Sequence, residues 1–169
     1  MKKIIIVICV ILVIVVGILV VNGINIGNNS NIEEVSTNKN KLVLKFEGVN
    51  ITPGEKIVID DIKAKPKVST ITSCAFEGKD HVYSFNNVEI TANIRDKEEI
   101  VYSVYFVDDT FSTPEGIKIG SSKKDLIDKL GNNYEEDSSI VKYNYDGVVG
   151  IFEISNDSVF SIEYQMELK

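Results

Sequence analysis

Cys74 and His81 are the two residues of this chain whose types most resemble a catalytic pair. A thiol activated by an imidazole base is a common enzyme nucleophile. The chain contains one histidine, however, and no oxyanion-hole signature accompanies either residue. The pattern therefore favours a structural interpretation, a buried or loop thiol beside a histidine at a strand edge, and it predicts no catalytic residue.

Short acidic clusters come closest to a metal site. They are Asp60-Asp61, Glu98-Glu99, Asp108-Asp109 and Glu135-Glu136-Asp137. None has the D-x-D-x-D-G spacing that presents several oxygens to one calcium ion, so we interpret them as solvated turns. A glycine-rich phosphate loop and metal-ligand spacing are also missing from the sequence. We therefore expect no metal and no cofactor.

The charge balance argues against one class of partner. The chain has 18 Lys+Arg against 25 Asp+Glu, which gives a formal net charge of -7. Proteins bind nucleic acids and anionic lipid headgroups through clustered basic residues. We therefore expect no nucleic-acid partner.

Residues 1–23 have the composition of a membrane-spanning segment. Met1-Lys2-Lys3 precedes Ile4 to Val21, an uncharged run that would span about 27 Å as a helix. We predict a signal anchor with a cytoplasmic N-terminus and an extracellular C-terminal domain, hence a single-pass cell-membrane protein whose partners include the membrane. Signal cleavage at Val21-Asn22-Gly23 is the alternative, and it would give a secreted protein.

An internal repeat divides the rest of the chain. Residues 24–40 are rich in asparagine and are interpreted as a linker. Beyond them, Glu115 to Gly131 matches Glu47 to Ile62 at an offset of 68 residues. This self-match indicates a duplicated unit, with a first repeat at 41–109 and a second at 110–169.

Each repeat is predicted to contain one helix followed by antiparallel strands. The capping signal Thr52-Pro53-Gly54-Glu55 predicts a helix over Lys56 to Ile62. In the second repeat, Ser122 as N-cap and Gly131 as terminator bound the corresponding helix. The strands are expected at His81 to Phe85, Val88 to Ile94, Ile100 to Val107, Val141 to Tyr145, Val148 to Ser155 and Ser158 to Met166. The predicted fold class is α+β, two tandem helix-plus-antiparallel-meander repeats behind one N-terminal transmembrane helix.

Alternation along the last strand of each repeat assigns side chains to two faces. Tyr102, Val104 and Phe106 are expected to face the helix, as are Phe160, Ile162, Tyr164 and Met166. The opposite alternation places Tyr105 on an open sheet face. An aromatic ring with a polar tip is typical of binding anchors, although Tyr105 could instead pack between the two units.

Several motifs carry a resemblance to known proteins. They are Ser73-Cys74-Ala75-Phe76-Glu77-Gly78, Ser103-Val104-Tyr105-Phe106-Val107-Asp108-Asp109 and Thr113-Pro114-Glu115-Gly116-Ile117. With them, the chain from Lys41 to Lys169 is similar to a family of uncharacterised clostridial and other Gram-positive surface proteins and lipoproteins. The helix-then-meander unit resembles the fold of the outer-membrane-assembly lipoprotein and the β-lactamase-inhibitor protein. The resemblance implies no established activity, and this chain lacks the lipobox cysteine of the lipoprotein members.

These observations predict a membrane-anchored, extracytoplasmic and non-enzymatic binding module. Its ligand would be a protein or an envelope component recognised by the tandem sheet, and the candidate binding residues are Tyr105, Cys74 and Phe76. Three alternatives stay open. They are an extracellular enzyme using Cys74 or a cleft between the repeats, a secreted inhibitor-like protein after signal cleavage, and a structural spacer.

Overall fold

The structure, a computed structural model, describes residues 42–168. It begins with a hairpin of β1 (Leu44–Phe46) and β2 (Val49–Ile51). A large antiparallel sheet follows, made of β3 (Lys67–Thr72), β4 (Lys79–Ser84), β5 (Val88–Arg95), β6 (Glu98–Phe106), β7 (Glu135–Asp137), β8 (Ile140–Tyr145), β9 (Val148–Ser155) and β10 (Ser158–Met166). The eight strands are ordered β3-β4-β5-β6-β10-β9-β8-β7. Two four-stranded meanders therefore meet where β6 pairs with β10.

The helix α1 (Lys123–Leu130) confirms the predicted helix of the second repeat. The Ser122 hydroxyl caps it by accepting a hydrogen bond from the Asp125 amide at 3.0 Å. Gly131 ends the helix with a φ of 92°, a conformation that favours glycine. Leu126 and Leu130 are buried against the sheet.

The predicted helix over Lys56 to Ile62 is wrong. Pro53 and Gly54 instead form a turn, and Lys56 then bridges to Ile100 of β6. The Gly54 amide donates to the Val101 carbonyl at 2.8 Å, and the Ile57 amide donates to the Glu99 carbonyl at 2.9 Å. A short 3₁₀ turn, Ile59–Asp61, follows. The β-branched residues Ile57, Val58 and Ile59 lose rotamer freedom in a helix, and the edge of β6 offers them backbone partners beyond the end of β10.

The fold class is therefore corrected to a mainly antiparallel β structure that contains one α-helix among residues 42–168. The predicted pair of α+β helix-plus-meander repeats is not formed, because one of the two helices is replaced by extended chain. Six of the predicted strands are nevertheless present as β4, β5, β6, β8, β9 and β10.

The predicted transmembrane helix, signal anchor and single-pass cell-membrane location are also contradicted. Within residues 42–168 no helix is long and apolar enough to cross a membrane. The helix α1 has eight residues, which corresponds to about 12 Å of rise against a hydrocarbon core of about 30 Å. Ile4 to Val21 and the linker at 24–40 lie outside the described residues.

The hydrophobic core lies between one face of the sheet and the elements packed on it. The β1–β2 hairpin supplies Leu44 and Phe46 to this core, Ile62 enters it directly after the 3₁₀ turn, and α1 supplies Leu126. Gly150 of β9 makes room for Leu42, because a Cβ at position 150 would lie 2.6 Å from a Leu42 methyl carbon. We call this side of the sheet the covered face and the opposite side the open face.

Two β-bulges change the predicted assignment of side chains to these faces. The β5–β6 register shifts at Tyr102, and the β9–β10 register shifts at Phe160. As a result Val101 and Val159 enter the core at 1% exposure, whereas Phe160 is 62% exposed. The expectation that Tyr102 and Phe160 face the helix is wrong, because each bulge inserts one residue and reverses the alternation before it.

Candidate functional site

A row of paired side chains crosses the open face of the sheet. Consecutive cross-strand pairs connect it from β3 to β8, in the order Lys67, Ser84, Glu89, Tyr105, Glu163, Ile151 and Lys142. Tyr105 lies near the middle, directly between Glu89 and Glu163, and the lysines lie at the ends. The register therefore surrounds an aromatic ring with carboxylates that are distant in sequence.

Tyr105 is 40% exposed, so its ring is available at the surface while its base is packed by neighbouring strands. Partial burial raises the pKa of its hydroxyl, and the negative charges of Glu163, Glu153 and Glu89 raise that pKa further. The phenol is therefore a neutral hydrogen-bonding group at physiological pH. We call Tyr105 with Glu89, Glu153 and Glu163 the Tyr105 surface.

Glu163 is a partly buried carboxylate of this surface. Burial raises its pKa and the nearby charge of Glu89 raises it further, whereas hydrogen bonds from Gln165 and Ser103 lower it. The other two carboxylates also accept hydrogen bonds from neutral groups. The Ser84 hydroxyl donates to Glu89 at 2.8 Å, and the Ser161 hydroxyl donates to Glu153 at 3.3 Å.

None of these carboxylates has a cationic partner within the chain as described. The lysine–carboxylate ion pairs of residues 42–168 are Lys56–Glu98, Lys123–Glu136 and Lys124–Asp128, and the imidazole of His81 contacts Glu99. Hydroxyl and amide donors orient the carboxylates of the Tyr105 surface without neutralising their charge. The surface therefore combines an exposed aromatic ring with uncompensated negative charge.

The candidate binding residues Cys74 and Phe76 lie in the loop 73–78 between β3 and β4, and Cys74 is exposed. Phe76 packs edge-on against Tyr102, with ring centroids 5.4 Å apart, and the Arg95 guanidinium lies 4.0 Å from its ring centre. Through these contacts Phe76 reaches β6 at Tyr102 and not at Tyr105. Phe76 therefore contacts the strand that carries Tyr105 but lies outside the Tyr105 surface.

His81 is held by partners other than the thiol that the sequence suggested. Its Nδ1 hydrogen-bonds the Glu99 carboxylate, and the Tyr83 hydroxyl donates to both oxygens of that carboxylate at 2.6 Å. The pairing of Val68 with Tyr83 and the alternation of β4 place His81 and Tyr83 together on the covered face. His81 pairs with Thr70 within the β3–β4 ladder, whereas Cys74 lies in the loop 73–78 beyond the end of that ladder.

The His81, Tyr83 and Glu99 cluster fixes one imidazole tautomer. With Nδ1–H donating to Glu99, Nε2 is the nitrogen left to accept a proton or a hydrogen bond. Burial raises the pKa of Tyr83 strongly, and the hydrogen bond to Glu99 adds to this effect, which keeps the phenol neutral. The interpretation of Glu98-Glu99 as a solvated turn is wrong, because both residues lie in β6. The contact between Glu99 and His81 could not be predicted, because 18 residues separate the two and strand pairing brings them together.

The cleft considered between the two repeats corresponds to a surface cavity of about 380 Å³. The segments that flank the β1–β2 hairpin and the β8–β9 turn form its lining, which consists of Val43, Thr52, Pro53, Gly54, Glu55, Tyr145, Asp146, Gly147 and Val148. Its titratable groups include the carboxyls of Glu55 and Asp146, and it has no cysteine or histidine in its lining. The cavity therefore does not contain the cysteine of the enzyme hypothesis.

No protein-family model, curated protein or solved structure matches the chain. The resemblance to Gram-positive surface proteins and to the inhibitor-like fold therefore stays a prediction.

Proposed function

We propose that this protein is a non-enzymatic interaction module that binds a partner protein through the open face of its sheet. The observation that carries this proposal is the Tyr105 surface, where three carboxylates without cationic partners surround a 40% exposed aromatic ring. Tyrosine is enriched among residues that dominate protein interfaces, because it contributes apolar area and a polar tip with few rotatable bonds.

The partner is expected to present lysine or arginine side chains. Positive groups would find the uncompensated charges of Glu89, Glu153 and Glu163, and a guanidinium or ammonium could also stack on the Tyr105 ring. Glu163 would gain from such a contact, because burial disfavours its charged form. Charge complementarity of this kind chiefly increases the association rate and specificity, and salt weakens it.

A short oligolysine peptide provides a direct probe of this chemistry. We expect it to bind the full chain and to shift the amide signals of Tyr105 and Glu163 in NMR spectra. Neutralising the surface in the triple variant Glu89→Gln/Glu153→Gln/Glu163→Gln should weaken binding roughly tenfold, on the basis of about 0.5 kcal/mol for each exposed charge.

The matched control removes the same number of charges elsewhere. Glu47→Gln/Asp61→Asn/Asp128→Asn changes exposed positions in the hairpin, the 3₁₀ turn and α1. If binding depends on the Tyr105 surface, this control should stay within about twofold of the unchanged protein, because screening limits the reach of distant surface charges. Equal losses in both triple variants would show that net charge alone attracts the peptide, and they would overturn the proposal.

A further inference from the structure

β3 is an edge strand whose outer side is open. Its six residues pair with β4 on one side, and among the described strands no neighbour lies on the other side. Five of the six are exposed, including Val68 at 53%. An exposed edge of this length offers unpaired backbone groups to another strand.

Hydrogen-bond alternation identifies which residues offer these groups. The Ser73 amide donates to the Gly78 carbonyl at 3.1 Å, so that pair belongs to the hydrogen-bonded class. In an antiparallel ladder the classes alternate, which makes Ile71, Ser69 and Lys67 the residues bonded to β4. The amides and carbonyls of Val68, Thr70 and Thr72 consequently point away from the sheet.

The opposite edge of the sheet is protected, whereas β3 is not. β7 has three residues, Glu135, Glu136 and Asp137, all of them acidic and exposed. Short length and charge are the usual means by which proteins prevent edge pairing. In β3 the charged residue is Lys67 at its start, and residues 68–76 carry no charge.

We propose that β3 pairs antiparallel with β3 of a second copy of this chain, with the two-fold axis at Thr70. In this register Val68 lies opposite Thr72 of the second copy. Thr70 lies opposite its own equivalent. Each of these pairs belongs to the hydrogen-bonded class, so the seam satisfies all outward groups of Val68, Thr70 and Thr72. The seam also covers the exposed Val68 side chain with a threonine across the strands.

Charge favours this occupant over an unrelated peptide. In the symmetric register the two copies of Lys67 lie at opposite ends of the seam, about 20 Å apart, so they do not repel at close range. The uncharged stretch between them has no group that would select a charged peptide. The antiparallel pairing of two identical strands is an isologous contact, the arrangement found in most homodimers.

Disulfide trapping tests the register in the full chain. In a Cys9→Ser/Cys74→Ser background, Thr70→Cys should form a disulfide-linked dimer upon mild oxidation, since opposite residues of a hydrogen-bonded pair lie about 5.5 Å apart. Val68→Cys is the matched control on the same strand and face. Its two copies would lie about 14 Å apart, so it should stay monomeric in denaturing electrophoresis.

A second variant tests the contact without cysteines. Thr70→Pro removes an amide that points away from β4, so the sheet should keep its circular dichroism spectrum. The loss of the central hydrogen bonds should weaken dimerisation roughly tenfold in sedimentation experiments. A protein that is monomeric in sedimentation, or equal trapping at positions 68 and 70, would overturn the proposed seam.

Discussion

Tyr105 and Glu163 lie directly opposite each other on β6 and β10, in the short strand pairing that joins the two meanders into one sheet. The β6–β10 pairing comprises three residue pairs, and one of the other two is Ser103 with Gln165. The same side chains that join the meanders on the open face therefore also build the Tyr105 surface. Stability and binding must be measured separately for any change made there.

Glu163→Gln should stabilise the protein increasingly as the pH rises. Burial raises the pKa of Glu163 in the folded state, so the folded protein binds this proton more tightly than the unfolded chain. The stability that the unchanged protein gains from this proton is fully present below the ordinary glutamate pKa of about 4.3, and it is lost as the pH rises through the raised pKa. Glutamine does not titrate, so the variant does not lose this stability. Urea unfolding of both proteins between about pH 4 and pH 8 checks this, and a stability difference independent of pH would contradict it.

Leu126→Ala should destabilise the protein by about 2–5 kcal/mol. Leu126 is fully buried on the sheet side of α1, and its truncation removes apolar contacts and leaves a cavity. Lys124→Ala on the solvent side of the same helix provides the control and should change the unfolding free energy by less than about 0.5 kcal/mol. Comparable losses from the two variants in urea unfolding would mean that α1 does not pack as described.

Gly150→Ala should cost about 1–3 kcal/mol, because the new methyl group would overlap with Leu42. Leu42→Ala removes that obstacle but creates a cavity of its own. The double variant should therefore be more stable than the sum of the two single effects predicts. Additive unfolding free energies would indicate that Leu42 does not occupy the space above Gly150.

Val159 and Phe160 provide a test of the bulge in β10. Val159→Ala should cost about 2 kcal/mol because it removes buried methyl groups, whereas the exposed Phe160→Ala should change stability by less than about 0.5 kcal/mol. Thermal and urea unfolding of the two variants decides the matter. If β10 alternated regularly without the bulge, Phe160 would be buried in place of Val159, and Phe160→Ala would be the more destabilising variant.

Local signals explain which parts of the fold could be predicted. The cap Ser122 and the terminator Gly131 act within a few residues, so α1 follows from the sequence. The turns Asp146-Gly147 and Asn156-Asp157 likewise define the strands around them. The capping signal at Thr52 failed because the free edge of β6, far along the chain, offered residues 54–57 better backbone partners.

Non-local register explains what could not be predicted at the candidate site. Tyr105 lies on the open face as its alternation predicts, and its role as a binding residue stays a prediction. Glu89 and Glu163 reach it through pairing with strands that come before and after it in the chain. The bulge at Tyr102 could not be predicted either, because the sequence around it does not distinguish an inserted residue from a paired one.

Site-specific photo-cross-linking in the source cells tests the central claim most directly. A benzophenone side chain in place of Tyr105 should capture a protein through a segment that carries lysine or arginine, as mapped by mass spectrometry. The same group in place of Lys124, on α1 across the sheet, should not capture it. The adduct at position 105 should also disappear when Glu89, Glu153 and Glu163 are changed to glutamine. Equal capture at both positions, or an adduct that survives neutralisation of these carboxylates, would contradict binding through the Tyr105 surface.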